Sequence, residues 1–262
     1  MIVPLSEREP TTRVMRLGLL TAAWERSNLT NFILRYYASL FIPGVELVPV
    51  VVVSPQDEDP CDPPEAWHVV RFQNSPLSSK WNAGLAVCAD LDLDAVMIVG
   101  SDDMISASYI TMVTQRYMRR PASTDFIQPK ILHIHNVGSD YVYRIPSIPT
   151  GAGRMLSRRL LDAMKWQGWE GGIDAYLDAS MTARVNSISH SPYTVASDTN
   201  TEWAIVDIKQ EGMNMWQIVT KGRHAYIERS ENERLRLPKV ALLPADQFYK
   251  DHFQGLRYDS GQ

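Results

Sequence analysis

The chain has 262 residues, 45% hydrophobic and 21% charged, with 26 basic against 30 acidic side chains and a formal net charge of −4. That balance fits a soluble globular protein with enough chain for a real core, and it excludes a nucleic-acid coat or polybasic membrane binder, though not a local basic groove. Cys61 and Cys88 give no disulfide framework or metal spacing, Leu47 to Val53 is far shorter than the ~20 residues that span a bilayer, and MIVPLSEREP has no signal pattern, so a cytoplasmic protein without a membrane span is expected.

Val14 to Ala23 is a short apolar run ending in small residues, which predicts a buried strand. Ser27 or Asn28 is placed to cap a helix whose Leu29, Phe32, Ile33, Tyr36, Tyr37 and Leu40 recur at helical spacing until Pro43-Gly44. Glu46 to Ser54 reads as a strand buried on both faces, with Pro49 tolerable only near its start or at an edge. After a turn-rich stretch from Pro55 to Pro64, His68 to Phe72 makes a brief strand. Ser75-Pro76 then opens a helix with Leu77, Trp81, Leu85 and Val87 facing inward. Asp94 to Val99 is a further buried strand, followed at its C-terminal end by Gly100-Ser101-Asp102-Asp103 and by a helix, capped by Ser106 or Ser108, that runs to Arg119.

The second half predicts strands at Phe126 to Ile134 and Tyr141 to Pro146, and helices at Arg154 to Met164 and Ile173 to Ala183. Further strands are expected at Ala204 to Ile208 and Trp216 to Thr220, and a charged surface helix at Glu228 to Arg236. The alternation predicts an α/β protein with a mostly parallel central sheet flanked by helices and a smaller C-terminal subdomain. Residues 1–120 make a ligand-binding half and 121–262 an acceptor-side half, packed as one continuous domain. Ligands collect at the C-terminal ends of strands in such sheets, where Thr21 to Arg26 and Gly100 to Asp103 both fall.

Two adjacent carboxylates at a strand end repel each other unless water or a cation separates them, and Mg²⁺ or Mn²⁺ prefers such oxygen ligands. The competing explanation is a helix cap. About twenty residues upstream stands Lys80-Trp81-Asn82-Ala83-Gly84, near the first turns of a helix, where free N–H groups and the dipole attract anions. Lys80 adds a point charge, Asn82 can reach a base or ribose, and Ala83-Gly84 permit close approach of a strand.

An early strand ending in small residues, a K-x-N-A-G helix and a strand closing on S-D-D together resemble the GT-A glycosyltransferases, the inverting family-2-like group above all. The resemblance implies a nucleotide-diphospho-sugar transferase fold and a divalent metal, Mn²⁺ or Mg²⁺, on the acidic motif. Asp103 matches the metal ligand, and Asp102 stands beside it, facing metal, ribose or sugar. Ser101 replaces the usual first acid. Thr21, Ala22, Ala23 and Arg26 would border the nucleobase, and Lys80 and Asn82 the diphosphate or sugar. Asp174 sits where the family carries its catalytic base, with Glu170 competing and Ile173 replacing the usual Glu. His190 would complete the metal site. Trp169 is expected to stack on sugar and Trp166 to lie in the core.

The reaction so implied moves a sugar from a UDP-sugar to an acceptor hydroxyl, on a saccharide or on a hydroxymethylated DNA base as in small phage enzymes of the group, which would act in the host cytoplasm. A sugar-nucleotidyltransferase and a non-catalytic nucleotide-sugar-binding module are the alternatives. TAAWERSN lacks the Gly-rich loop of the first, and the retained acids argue against the second. His133 and His135 share one strand face and read as structural or acceptor-facing. Asp207 and Lys209 read as an ion pair across the two halves. The arginines between Arg116 and Arg159 read as scattered helix charges rather than a phosphate track.

Overall fold

The computed structural model describes residues 13–146, 151–188, 192–195, 203–210, 217–221, 224–230, 233–236 and 241–259. The chain begins β1 (Met15–Ala22), α1 (Ser27–Ser39), β2 (Val45–Val53), β3 (His68–Arg71), α2 (Leu77–Ala89) and β4 (Ala95–Ile98). It continues β5 (Asp103–Ile105), α3 (Ala107–Arg119), β6 (Phe126–Pro129), β7 (Ile131–Asn136), β8 (Tyr141–Pro146), β9 (Met155–Ser157), α4 (Arg158–Ala163) and α5 (Leu177–Ile188). The remaining elements are β10 (Pro192–Val195), β11 (Ile205–Lys209), β12 (Gln217–Lys221), β13 (His224–Ser230), β14 (Glu233–Arg236), β15 (Ala241–Pro244) and α6 (Ala245–Phe253).

The main sheet has the order β10-β6-β9-β4-β1-β2-β3, parallel except where β9 runs antiparallel between β4 and β6. Both faces are covered, so its central strands are apolar throughout: Leu17 and Leu19 of β1 point into a core shared with α1 and α3, Leu20 into one shared with α2, α4 and α5. A second sheet, β15-β8-β7-β11-β5, packs on the α1 and α3 side with α6, and β12-β13-β14 form a third. Pro49 is accommodated because β3 pairs with β2 only from Val50 onward, leaving that flank an edge. A Cβ on Gly84 would lie 2.5 Å from Leu20 and 2.7 Å from Val52, so α2 approaches the sheet as closely as its glycine permits.

Several local expectations change. Residues 155–157 form β9 before α4 begins, because they fill the gap between β4 and β6. The helix expected from Ile173 starts at Leu177, since Ile173 and Asp174 are bound to α2 and Tyr176 takes a left-handed φ of 58°. The charged stretch from Glu228 contributes to the hairpin of β13 and β14 rather than a helix. Phe126 to Ile134 splits at Lys130, with β6 in the main sheet and β7 in the second.

The buried face of α2 is also different. It is Leu85 and Cys88 together with Ser78, Lys80, Asn82 and Gly84, while Leu77, Trp81 and Val87 are only half-buried. Polar groups go inside here because each meets a partner. Asn82 donates to the Trp169 carbonyl (3.0 Å) and accepts from its N–H (3.2 Å). Ser78 N–H donates to the Ile173 carbonyl, and Ile173 N–H to the Ser78 hydroxyl, both at 3.0 Å. Asp174 accepts from the Ser75 hydroxyl (3.0 Å) and the Leu77 N–H (2.6 Å), capping α2. Six hydrogen bonds thus zip segment 169–174 to Ser75 and α2.

Candidate active site

The loop after β1 turns through two left-handed residues, Glu25 (φ 49°) and Arg26 (φ 65°). Asp57 accepts from Glu25 N–H and Asp59 from Ser27 N–H, so α1 is capped from the following loop rather than by Ser27 or Asn28. The turn aims Arg26 across the sheet edge, where it donates to Asp102 (2.8 Å) and to Ser101 (3.3 Å). Beyond β4 the chain enters β5, and Asp103 N–H and one carboxylate oxygen both bond back to Gly100.

β11 brings the group that the spacing could not reveal. It pairs antiparallel with β5 so that Asp207 stands directly opposite Asp103, and Ile208 N–H donates to the Asp102 carbonyl (2.8 Å). Like charges opposite each other in a ladder are destabilising. One carboxylate oxygen from each of Asp102, Asp103 and Asp207 lies within 4.8 Å of the other two. Lys209, two residues on and on the same strand face, reaches Asp207 at 2.7 Å and Asp102 at 3.5 Å.

The charges follow this layout. Burial pushes the Asp102 carboxyl up, but Lys209 and Arg26 outweigh it and hold the group below the usual carboxylate value. Burial, with Asp207 and Asp102 alongside, holds Asp103 well above it. Asp207 is raised by burial to about 6 even with Lys209 beside it. Among the described residues three carboxyl groups face two cations, and neither cation lies within ion-pairing distance of Asp103. An all-oxygen, under-neutralised donor set fits a hard divalent cation. Among the described residues Asp207, not a histidine, is the third acidic corner. His190 lies outside the described residues.

Other expected residues are placed differently. Thr21 and Ala23 are buried and Ala22 is half-buried at the C-terminal end of β1. Lys80 is fully buried, donates to the Ala23 carbonyl and to Asn74 (3.0 Å), and lies 5.7 Å from the Trp24 ring centre. Burial pulls its ammonium down to about 8. Asn82 is spent on Trp169 rather than turned toward a ribose. Trp169 is itself core, with its ring 5.4 Å from that of Trp81, which corrects its expected role as a sugar platform. Trp166 packs on the same core. Asp174 is exposed but engaged at α2, and Glu170 is exposed.

Asp178 was not legible. It lies in the first turn of α5, its side chain more than half exposed, three residues before the buried Met181. A Cβ on Gly151 would come within 2.3 Å of its carboxylate. The buried Arg154 guanidinium donates to its carbonyl (3.0 Å) and lies 3.6 Å from its carboxylate. Gly153 N–H donates to Ile98, and Ile98 N–H to Arg154, so this assembly is fastened to the last residue of β4.

The arginine cluster is dispersed: Arg158 pairs with Asp92 and Arg159 with Asp125. His133 and His135 bond to Ile205 and Tyr249 beneath α6 and are structural. No helix among the described residues is long and apolar enough to cross a membrane.

The fold, central sheets flanked by helices in a mixed α/β arrangement, is shared with solved structures. The chain is similar to S. aureus TarS: residues 1–349 of that protein align over 74% of this chain and 60% of that one at 12% identity, with a TM-score of 0.52. The same fragment in complex with UDP-GlcNAc gives 77% and 60% coverage, 13% identity and 0.54, and S. aureus TarS gives 74% and 37%, 13% and 0.54. This chain therefore spans about 60% of the TarS fragment and 37% of TarS, and identities this low establish the fold alone. No family model and no curated protein matches the sequence.

Proposed function

We propose that the protein is a metal-dependent glycosyltransferase that moves a sugar from a UDP-sugar to an acceptor hydroxyl with inversion. The observation that carries this reading is the pairing of Asp103 with Asp207 across β5 and β11 beside Asp102, an arrangement that folding alone disfavours. The fold neighbour solved with UDP-GlcNAc supports the donor class.

Asp103, Asp102 and Asp207 would hold Mn²⁺ or Mg²⁺, which when bound neutralises the charge developing on a departing diphosphate. Arg26 adds a guanidinium on the same edge, fixed by its left-handed backbone and two partners. Thr21 to Ala23 and the half-buried Trp24 form the nucleobase end, where Lys80 acts by holding the Ala23 carbonyl in place. Asn82 positions the Trp169–Asp174 segment. The acceptor hydroxyl must lose a proton to a carboxylate on the far side of the sugar. Asp178 is the proposed base, held over Gly151 by Arg154, whereas Asp174 is occupied at α2. The acceptor is proposed to be a hydroxyl of a saccharide or of a hydroxymethylated DNA base. The cytoplasm is the proposed setting, in keeping with the free thiols Cys61 and Cys88.

The test is release of UDP from UDP-glucose, UDP-galactose and UDP-GlcNAc with and without Mn²⁺. Slow Mn²⁺-dependent UDP release by the parent protein, lost in Asp103→Asn, is expected. Pyrophosphate release instead would assign a nucleotidyltransferase, and binding without release a non-catalytic module.

A further inference from the structure

We propose that Lys209 is a built-in counter-ion that makes the divalent cation and the nucleoside diphosphate bind together rather than in turn. The proposal rests on the functional reading above and goes beyond it to the order and coupling of binding. Lys209 is buried, its ammonium 2.7 Å from Asp207 and 3.5 Å from Asp102, two of the three carboxylates that would hold the metal. Arg26 already takes the same Asp102 oxygen at 2.8 Å.

Among the described residues, two cationic side chains thus stand against three carboxyl groups before any ion arrives. A divalent cation entering alone must come close to the Lys209 ammonium, which already lies against two of its carboxyl ligands. Repulsion between like charges in a site with little access to water is strong. A diphosphate reverses the balance. Its oxygens offer the ammonium a new partner within reach of a flexible four-carbon stem, freeing Asp207 for the metal. Arg26 cannot serve in this way, because its backbone turn and its bonds to Asp102 and Ser101 fix it. Each ligand therefore removes the obstacle to the other, and the coupling must be equal in both directions.

The experiment is calorimetric titration of MnCl₂ and of UDP, each alone and in the presence of the other. The proteins compared are the parent, Lys209→Met, Lys209→Gln (neutral, retaining a donor for Asp207) and Lys209→Arg. In the parent, UDP should tighten Mn²⁺ binding at least tenfold, and Mn²⁺ should tighten UDP binding by the same factor. In both neutral variants Mn²⁺ alone should bind at least tenfold tighter than to the parent, with the gain from UDP reduced, and Mn²⁺ alone should raise the melting temperature. Lys209→Arg should keep the parent's coupling. Unchanged Mn²⁺ affinity in the neutral variants, or equal Mn²⁺ affinity in the parent with and without UDP, overturns the counter-ion. A parent that binds neither Mn²⁺ nor UDP in any combination overturns instead the functional reading on which it rests.

Discussion

Asp103 and Asp207 are close because their strands pair, and their proximity is a liability in the empty site. Asp103→Asn should therefore be more stable than the parent in metal-free buffer, by about 1 kcal/mol for relief of one opposed pair. It should also lose Mn²⁺-dependent UDP binding. Urea denaturation and calorimetry measure the two effects, and a variant that lost stability would contradict the electrostatic account. The two carboxylates near α5 separate in the same way. Asp178→Asn should lower turnover about 100-fold, the low end of what a general base contributes, while leaving UDP binding intact. Asp174→Ala should cost about 1 kcal/mol of stability, the worth of a helix cap. Parent-like turnover in Asp178→Asn would return the base assignment to Asp174 or Glu170.

At the scale of an element, α2 joins the two sides of the proposed site. Its polar face carries Lys80 toward the end of β1, and Asn82, Ser78 and the helix start toward segment 169–174. Asn82→Ala leaves both the N–H and the carbonyl of Trp169 without their partner, at a cost of about 2 kcal/mol. That segment leads into α5 and Asp178, so turnover should fall more than UDP affinity; losses of equal size would place Asn82 at the donor instead. Gly84→Ala tests the close approach of α2. The added methyl meets Leu20 and Val52, and a loss of about 1–3 kcal/mol is expected from overpacking. Periodicity located this helix but assigned its inward face to apolar residues, since its polar partners lie some ninety residues further along the chain.

For the molecule as a whole, the acid response has opposed sources, and His133 and Asp207 are one of each kind. Burial lowers His133 to about 3, against about 6.5 in an unfolded chain, so across that window the unfolded state binds more protons and stability falls as pH falls. Asp207 works the other way. Its folded value of about 6 lies above the unfolded 3.8, so its contribution is present at low pH and is lost as pH rises through about 6. His133→Gln should flatten the decline in melting temperature between pH 6.5 and 4.5. Asp207→Asn should steepen it. A His133→Gln series parallel to the parent would show that the acid response arises elsewhere.

The strands and helices of the first half other than β5, and the acidic strand end after β4, follow from the chain itself, because apolar runs, proline-glycine stops and adjacent carboxylates act over a few residues. Leucine and valine spacing alone places Thr21 to Arg26 and Gly100 to Asp103 on one edge of a sheet. Tertiary structure decided which residues complete that edge. Asp207 reaches Asp103 across about a hundred residues through strand pairing, Asn82 turns inward because Trp169 receives it, and Asp178 meets Arg154 only once α5 has packed. Contacts between distant segments leave no period in the sequence, since their energies exist only once the sheet has closed.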